Sequence, residues 1–89
     1  MTADTAILSF LAGRYPAAFD ARTVAVRVNR SGMLDAPLSD EAVRDSLLRL
    51  ARRFGRVELL TNEDGTQFWS ATPGGVTAWT LDGSPCVGG

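Results

Sequence analysis

The stretch that most constrains this chain runs from Ser39 to Gly75, SDEAVRDSLLRLARRFGRVELLTNEDGTQFWSATPGG. Val43, Leu47, Leu50 and Phe54 recur at steps of four, three and four, which lays one apolar stripe along a helix. Ser39 stands where a helix cap is needed, and Asp40 and Glu41 follow in the first turn, where the helix dipole favours acid. Gly55 offers the left-handed conformation that commonly ends a helix, so the spacing predicts a helix over 39–54. Val57, Leu59 and Thr61 then alternate with Glu58 and Leu60, and Asp64-Gly65 is a strong hairpin signal before a second strand over 66–72. A helix feeding through one glycine into a β-hairpin leaves few folds open.

The sequence upstream supplies two more helices. Over Thr2 to Ala12, Ile7, Phe10 and Leu11 follow the i, i+3, i+4 rule, Ala6 and Leu8 widen the apolar face, and Gly13 closes it. The segment Phe19 to Arg30 carries two patterns. Thr23 to Val28 alternates like a strand, whereas Ala21, Val24, Ala25 and Val28 share a helical face. Asp20 as a cap, and Phe19 and Val24 at the positions of a hydrophobic staple, favour the helix, with Asn29 to Gly32 as its exit. Met33 to Leu38, containing Pro37, connects to the Ser39 cap. After the hairpin, Pro73 suits the first position of a final helical turn, from which Val76 and Trp79 pack back. The expected core is Ile7, Phe10, Leu11, Val24, Val28, Val43, Leu47, Leu50, Phe54, Val57 and Leu59. Residues 1–81 form the expected domain, and 82–89, DGSPCVGG, a flexible C-terminal tail.

The residue inventory narrows the chemistry. With 89 residues, 45% of them hydrophobic, the chain makes one domain with a modest core, for which a homodimer would be a natural aid. There is no His and a single Cys, Cys86, so neither the usual zinc ligand sets nor Ser-His-Asp and Cys-His arrangements can be assembled. The expectation is a protein that is not an enzyme and has no metal and no cofactor. No apolar run approaches the roughly 18 residues of a membrane span. The first residues lack a basic region and carry Asp4, so no signal peptide is expected and the compartment is read as the cytoplasm.

Helix, helix, connection, helix and hairpin, in that order, resemble the winged form of helix-turn-helix domains, and most nearly the small MarR-like and ArsR-like bacterial regulators. The residues carrying the resemblance are Ser39, Val43, Leu47, Leu50 and Gly55-Arg56-Val57, then Asp64-Gly65 and Ala71-Thr72-Pro73-Gly74-Gly75. It spans about residues 5 to 80 and implies a mainly α fold of three helices plus a two-stranded wing. It further implies a transcription regulator that binds double-stranded DNA, with helix 39–54 in the major groove and the wing tip, 62–66, at the backbone or minor groove. The DNA contacts would be Arg44, Arg49, Arg52, Arg53 and Arg56, holding phosphates or reading guanine. The bland alternative for Arg49 is an i, i+4 ion pair with Asp45 on a solvated face.

Charge is unevenly spread. Residues 39–56 carry five arginines against three acids, whereas 57–89 carry four acids and no base. Asp40, Glu41 and Asp45 acidify the start of the would-be recognition helix, and Glu63 and Asp64 the wing tip. A second reading is therefore a winged-helix module for protein–protein contact. Leu48, lying on the wheel between Arg44 and Arg52, and Trp69, on the opposite strand face from Phe68, are its candidate partner-binding residues. Trp79 and the C-terminal turn are the alternative cover for Trp69. The apolar pattern looks filled and gives no sign of a small-molecule pocket.

Overall fold

Three polar residues start three helices, each by accepting a backbone N–H three residues ahead. Thr2 accepts from Thr5 at 3.2 Å and opens α1 (Ala3–Ala12). The Asp20 carboxylate accepts from Thr23 at 3.1 Å and opens α2 (Ala21–Ser31). Ser39 accepts from Ala42 at 3.1 Å and opens α3 (Asp40–Arg52). This computed structural model describes residues 2–81; the expected tail at 82–89, with Cys86, lies outside the described residues.

The helical reading of Ala21–Ser31 holds because its Val24, Ala25 and Val28 face is buried, and Gly32, at φ 75°, turns the chain out. The long connection to α3 is closed by Asn29. Its amide donates to the Leu38 carbonyl at 3.0 Å and accepts the Leu38 N–H at 2.8 Å, pinning the last residue before the Ser39 cap.

Gly55, at φ 62°, reverses the chain after α3, and the Arg56 N–H donates back to the Leu50 carbonyl at 3.0 Å. Strands β1 (Val57–Thr61) and β2 (Gln67–Ala71) follow as an antiparallel hairpin, with Val57 opposite Ala71 and Thr61 opposite Gln67. At the tip, Gly65 takes φ 87° and the Asp64 carboxylate accepts the Thr66 N–H at 3.0 Å. That bond holds the Asp64 carboxyl below the usual carboxylate range. The far edge of β2 is also used: Phe19 and Trp69 exchange backbone hydrogen bonds at 2.9 and 2.7 Å, so the residue just before the α2 cap acts as a one-residue third strand.

The chain then enters α4 (Pro73–Leu81). Thr72 ties this helix to the corner beneath it: its N–H donates to the Arg56 carbonyl at 3.0 Å, and its hydroxyl donates to the Gly55 carbonyl at 2.8 Å while accepting the Gly75 N–H at 3.0 Å. Where a final helical turn was expected there is a nine-residue helix. The Trp79 indole N–H donates to the Ser9 hydroxyl at 3.1 Å, which fixes α4 against α1.

One core joins Ile7, Leu8, Phe10 and Leu11 of α1, Val24 and Val28 of α2, Val43, Leu47 and Leu50 of α3, and Val57, Trp69 and Ala71 of the hairpin. Two expected members are outside it. Phe54 is 49% exposed, because α3 ends at Arg52 and the stripe loses its helical rise before reaching it. Leu59 is 41% exposed although it lies opposite Trp69 in the register. The indole, 1% exposed, takes the inner volume and leaves Leu59 on the outer strand beyond the helices. Trp69 is thus a core residue and not a free partner-binding surface. Its backbone is paired by Phe19, and Trp79, bonded to Ser9 of α1, packs against the same core. Leu48 is half-buried and packs on the edge of the same core, so it does not stand free between Arg44 and Arg52.

Candidate nucleic-acid interface

Because Val43, Ser46, Leu47 and Leu50 are buried, the residues about half a turn away, Glu41, Asp45 and Arg52, form the outer ridge of α3. Arg44 lies on the flank facing the hairpin, where its guanidinium donates to the Gln67 side-chain oxygen at 2.7 Å. An open groove of about 630 Å³ runs beside this contact, lined by Asp20, Arg22, Asp40, Glu41, Arg44 and Gln67 among others. The first turns of both α2 and α3 open onto it, so their unpaired backbone N–H groups and positive dipole ends face the same space. Two arginines and two helix N-termini therefore converge there with three carboxylates. One of those, Asp20, is occupied in capping α2.

The opposite flank of α3 is committed to the fold. Arg49 grips Asp4 of α1 with two parallel bonds, Nε to Oδ2 at 2.8 Å and Nη2 to Oδ1 at 2.9 Å. The buried Ser46 hydroxyl donates to the same carboxylate at 2.7 Å. The Arg49 hydrogen bonds beside it hold the Asp4 carboxyl below its ordinary range, and Asp4 in turn raises Arg49. Sequence spacing offered Asp45 as the partner of Arg49; the bidentate bond goes to Asp4, 45 residues away in the chain.

The remaining arginines gather where α3 ends. The guanidinium carbons of Arg53 and Arg56 lie 5.8 and 5.1 Å from the centre of the Phe54 ring. Phe54 and Arg56, with Asp4, Thr5, Leu8, Leu50 and Trp79, border a second cavity of about 180 Å³ between α1, α4 and the α3 terminus. The apolar pattern looked filled; this cavity opens because Phe54 falls outside the stripe and α4 is a full helix. The five arginines thus divide three ways: Arg44 and Arg52 on the outer and hairpin-facing sides, Arg49 locked to α1, and Arg53 and Arg56 around Phe54. Arg22 and Gln67 were missed as groove residues. The Asp20 cap carried the signal for Arg22, since it puts that residue in the first turn of α2.

No family model matches this sequence, and no curated protein is similar to it. In backbone structure the chain is similar to a transcriptional regulator from Clostridium thermocellum, Cth-833. The TM-score is 0.72 at 16% identity, over 90% of this chain and 75% of that one. At that identity the likeness is one of fold. The fold class is mainly α with a small two-stranded antiparallel hairpin, on the architecture of that regulator, with four helices among the described residues. No helix among the described residues is long and apolar enough to cross a membrane.

Proposed function

We propose that this protein is a winged-helix transcription regulator that binds duplex DNA, with α3 against the major groove and the 62–66 hairpin tip against the backbone. The observation that carries this reading is the groove shared by the N-termini of α2 and α3, with Arg22 and Arg44 on its walls and Arg44 bonded to the hairpin. Helix N-termini and arginines are the groups that position phosphates, and α3 and the hairpin act as one surface through the Arg44–Gln67 bond. Arg22, Arg44 and Arg52 are the contacts in this reading. Arg53 and Arg56 would add phosphate contacts only at the far end of α3, and Arg49 serves to seat α3 on α1. The regulator is of the MarR-like or ArsR-like kind, cytoplasmic, and binds as a homodimer, because one copy offers too few arginines to outweigh its own acids.

The test is the joint substitution of Arg22, Arg44 and Arg52 by alanine. Duplex binding should disappear while the circular dichroism spectrum stays unchanged; retained binding would sink the assignment. Asp20, Asp40 and Glu41 in the same groove favour one second reading, a winged-helix module that docks a basic protein segment. A wild-type chain that ignores DNA at low salt yet binds a short arginine-rich peptide, with shifts at Glu41, would establish that reading instead.

A further inference from the structure

We propose that the free edge of β1 is a pairing surface for a second copy of this chain, joined antiparallel about Leu60 so that the two hairpins form one continuous sheet. The inference goes beyond the functional reading, which calls for a homodimer and assigns it no surface, and it is tested without DNA.

The backbone argues for a strand as the occupant. Phe19 bonds to the N–H and C=O of Trp69, so those groups point away from β1. Leu59, opposite Trp69, is therefore in a non-hydrogen-bonded pair, and its own N–H and C=O point to the outer edge, as do those of Thr61. The bonds from Thr72 to Arg56 and from Asn62 to Thr66 fall on the alternate residues, as this pattern requires. No other strand among the described residues pairs with that edge. It also lacks the usual guards against a second strand: β1 has no Pro, no Lys and no bulge, and Glu58 is its only charged residue. Leu59 and Leu60, on opposite faces of the strand, are 41% and 43% exposed. Val57 is buried and closes the edge at its start, so the open stretch is 58–62 with Leu60 at its centre.

The side chains argue for a second copy of the chain. With Leu60 opposite its own counterpart, Leu59 of each copy stands opposite Thr61 of the other, and each such pair exchanges both of its N–H···O=C bonds. Leu60 shares the face of Phe68, away from the buried Trp69, so the two Leu60 side chains cover each other at the short separation of a non-hydrogen-bonded pair. Charge sets the direction. Arg53 and Arg56 precede β1, and Glu63 and Asp64 follow it. Neither Arg56 nor Glu63 has an oppositely charged partner among the described residues. Antiparallel pairing about Leu60 lays Arg56 of each copy beside Glu63 and Asp64 of the other, whereas parallel pairing would set like charges together. The edge is thus complementary to itself in backbone, apolar surface and charge at once.

The experiment is a dilution series of the ¹⁵N-labelled chain without DNA, followed by sedimentation velocity and two-dimensional spectra. A strand-edge contact is small, so the dissociation constant should be on the order of 100 µM, within a series from about 1 mM to about 10 µM. The Leu59 and Thr61 amides should shift, and exchange with solvent more slowly, as dimer forms. L60K sets two like charges opposite each other and should weaken association at least about tenfold while its spectrum stays folded. R56E and E63R should each associate about tenfold more weakly alone, and an equimolar mixture of the two should recover the dimer, because unlike charges again meet at both ends. The mixture decides the matter if L60K does not fold. A chain that stays monomeric throughout the series would overturn the proposal, as would L60K associating like the wild type or a mixture no better than its components.

Discussion

Gly74 and Gly75 are neighbours in the first turn of α4, and alanine should act on them in opposite directions. A Cβ on Gly75 would sit 2.0 Å from the Arg56 carbonyl oxygen and 2.9 Å from its carbon. Those are backbone atoms of the corner that joins α3 to β1, so no side chain can swing aside. Relief requires α4 to retreat by more than an ångström. That retreat stretches the three bonds Thr72 makes or receives there, at 3.0, 2.8 and 3.0 Å. Overpacking of this kind costs about 1–3 kcal/mol, and loss of one or two such bonds about 1 kcal/mol each. Alanine's better helix propensity returns up to about 1 kcal/mol, leaving G75A about 2–4 kcal/mol less stable than the wild type. A Cβ on Gly74 meets nothing closer than the Thr72 hydroxyl at 3.7 Å, an ordinary contact. G74A should therefore gain about 0.5 kcal/mol from helix propensity alone. For a domain of this size these values correspond to a midpoint lowered by roughly 10–20 °C for G75A and raised by a few degrees for G74A. Thermal unfolding followed at 222 nm, with urea unfolding for the free energies, reads both. A G75A chain as stable as the wild type, or a G74A chain equally destabilised, would refute the tight seat of α4 on Arg56.

Replacing Asp4 by Asn should cost about 1 kcal/mol at neutral pH, discounted because the Arg49 and Asp4 side chains are 46% and 27% exposed. The folded Asp4 pKa is depressed, so its contribution is complete above the unfolded value of about 3.9 and fades as pH falls through the lower folded value. Urea midpoints for D4N and the wild type should thus converge in acid, and a gap that widened there would contradict the pairing. N29A removes both bonds to Leu38 and should cost about 1–2 kcal/mol, with amide exchange quickening first over residues 33–38. F54S should change stability by no more than about 0.5 kcal/mol, whereas L47A should cost about 2–5 kcal/mol; equal losses would return Phe54 to the core.

Two helix starts were legible in the sequence because each depends on one short polar side chain reaching three residues ahead, Asp20 and Ser39; Thr2 caps α1 in the same way, although the sequence alone placed it inside the helix. The hairpin was legible because Asp64-Gly65 has few other uses, and the glycine indeed takes a positive φ. What could not be read were contacts between elements distant in sequence. Asp4 and Arg49 are 45 positions apart, and nothing local distinguishes Asp4 from Asp45 as the partner. The same holds for the pairing of Phe19 with Trp69, which fixed the fate of the indole and, through it, of Leu59. Phe54 continued the periodic stripe on paper, but periodicity assumes the helix goes on, and it had ended at Arg52. Of the candidate site, the arginines could be named from sequence. Their division among three surfaces needed the packing of α3 between α1 and the hairpin.

The most direct test of duplex recognition is the salt dependence of binding, read by fluorescence anisotropy of a labelled mixed-sequence duplex. Three phosphate contacts per copy, from Arg22, Arg44 and Arg52, make six in the homodimer and a log–log slope of about −5.4, so affinity should fall roughly 2,000-fold between about 50 and 200 mM salt. R44A, which removes one contact from each copy, should flatten that slope by about two units. Absence of binding at the lower salt, or binding that ignores salt and Arg44 alike, would contradict a DNA-binding role for the α3 and hairpin surface.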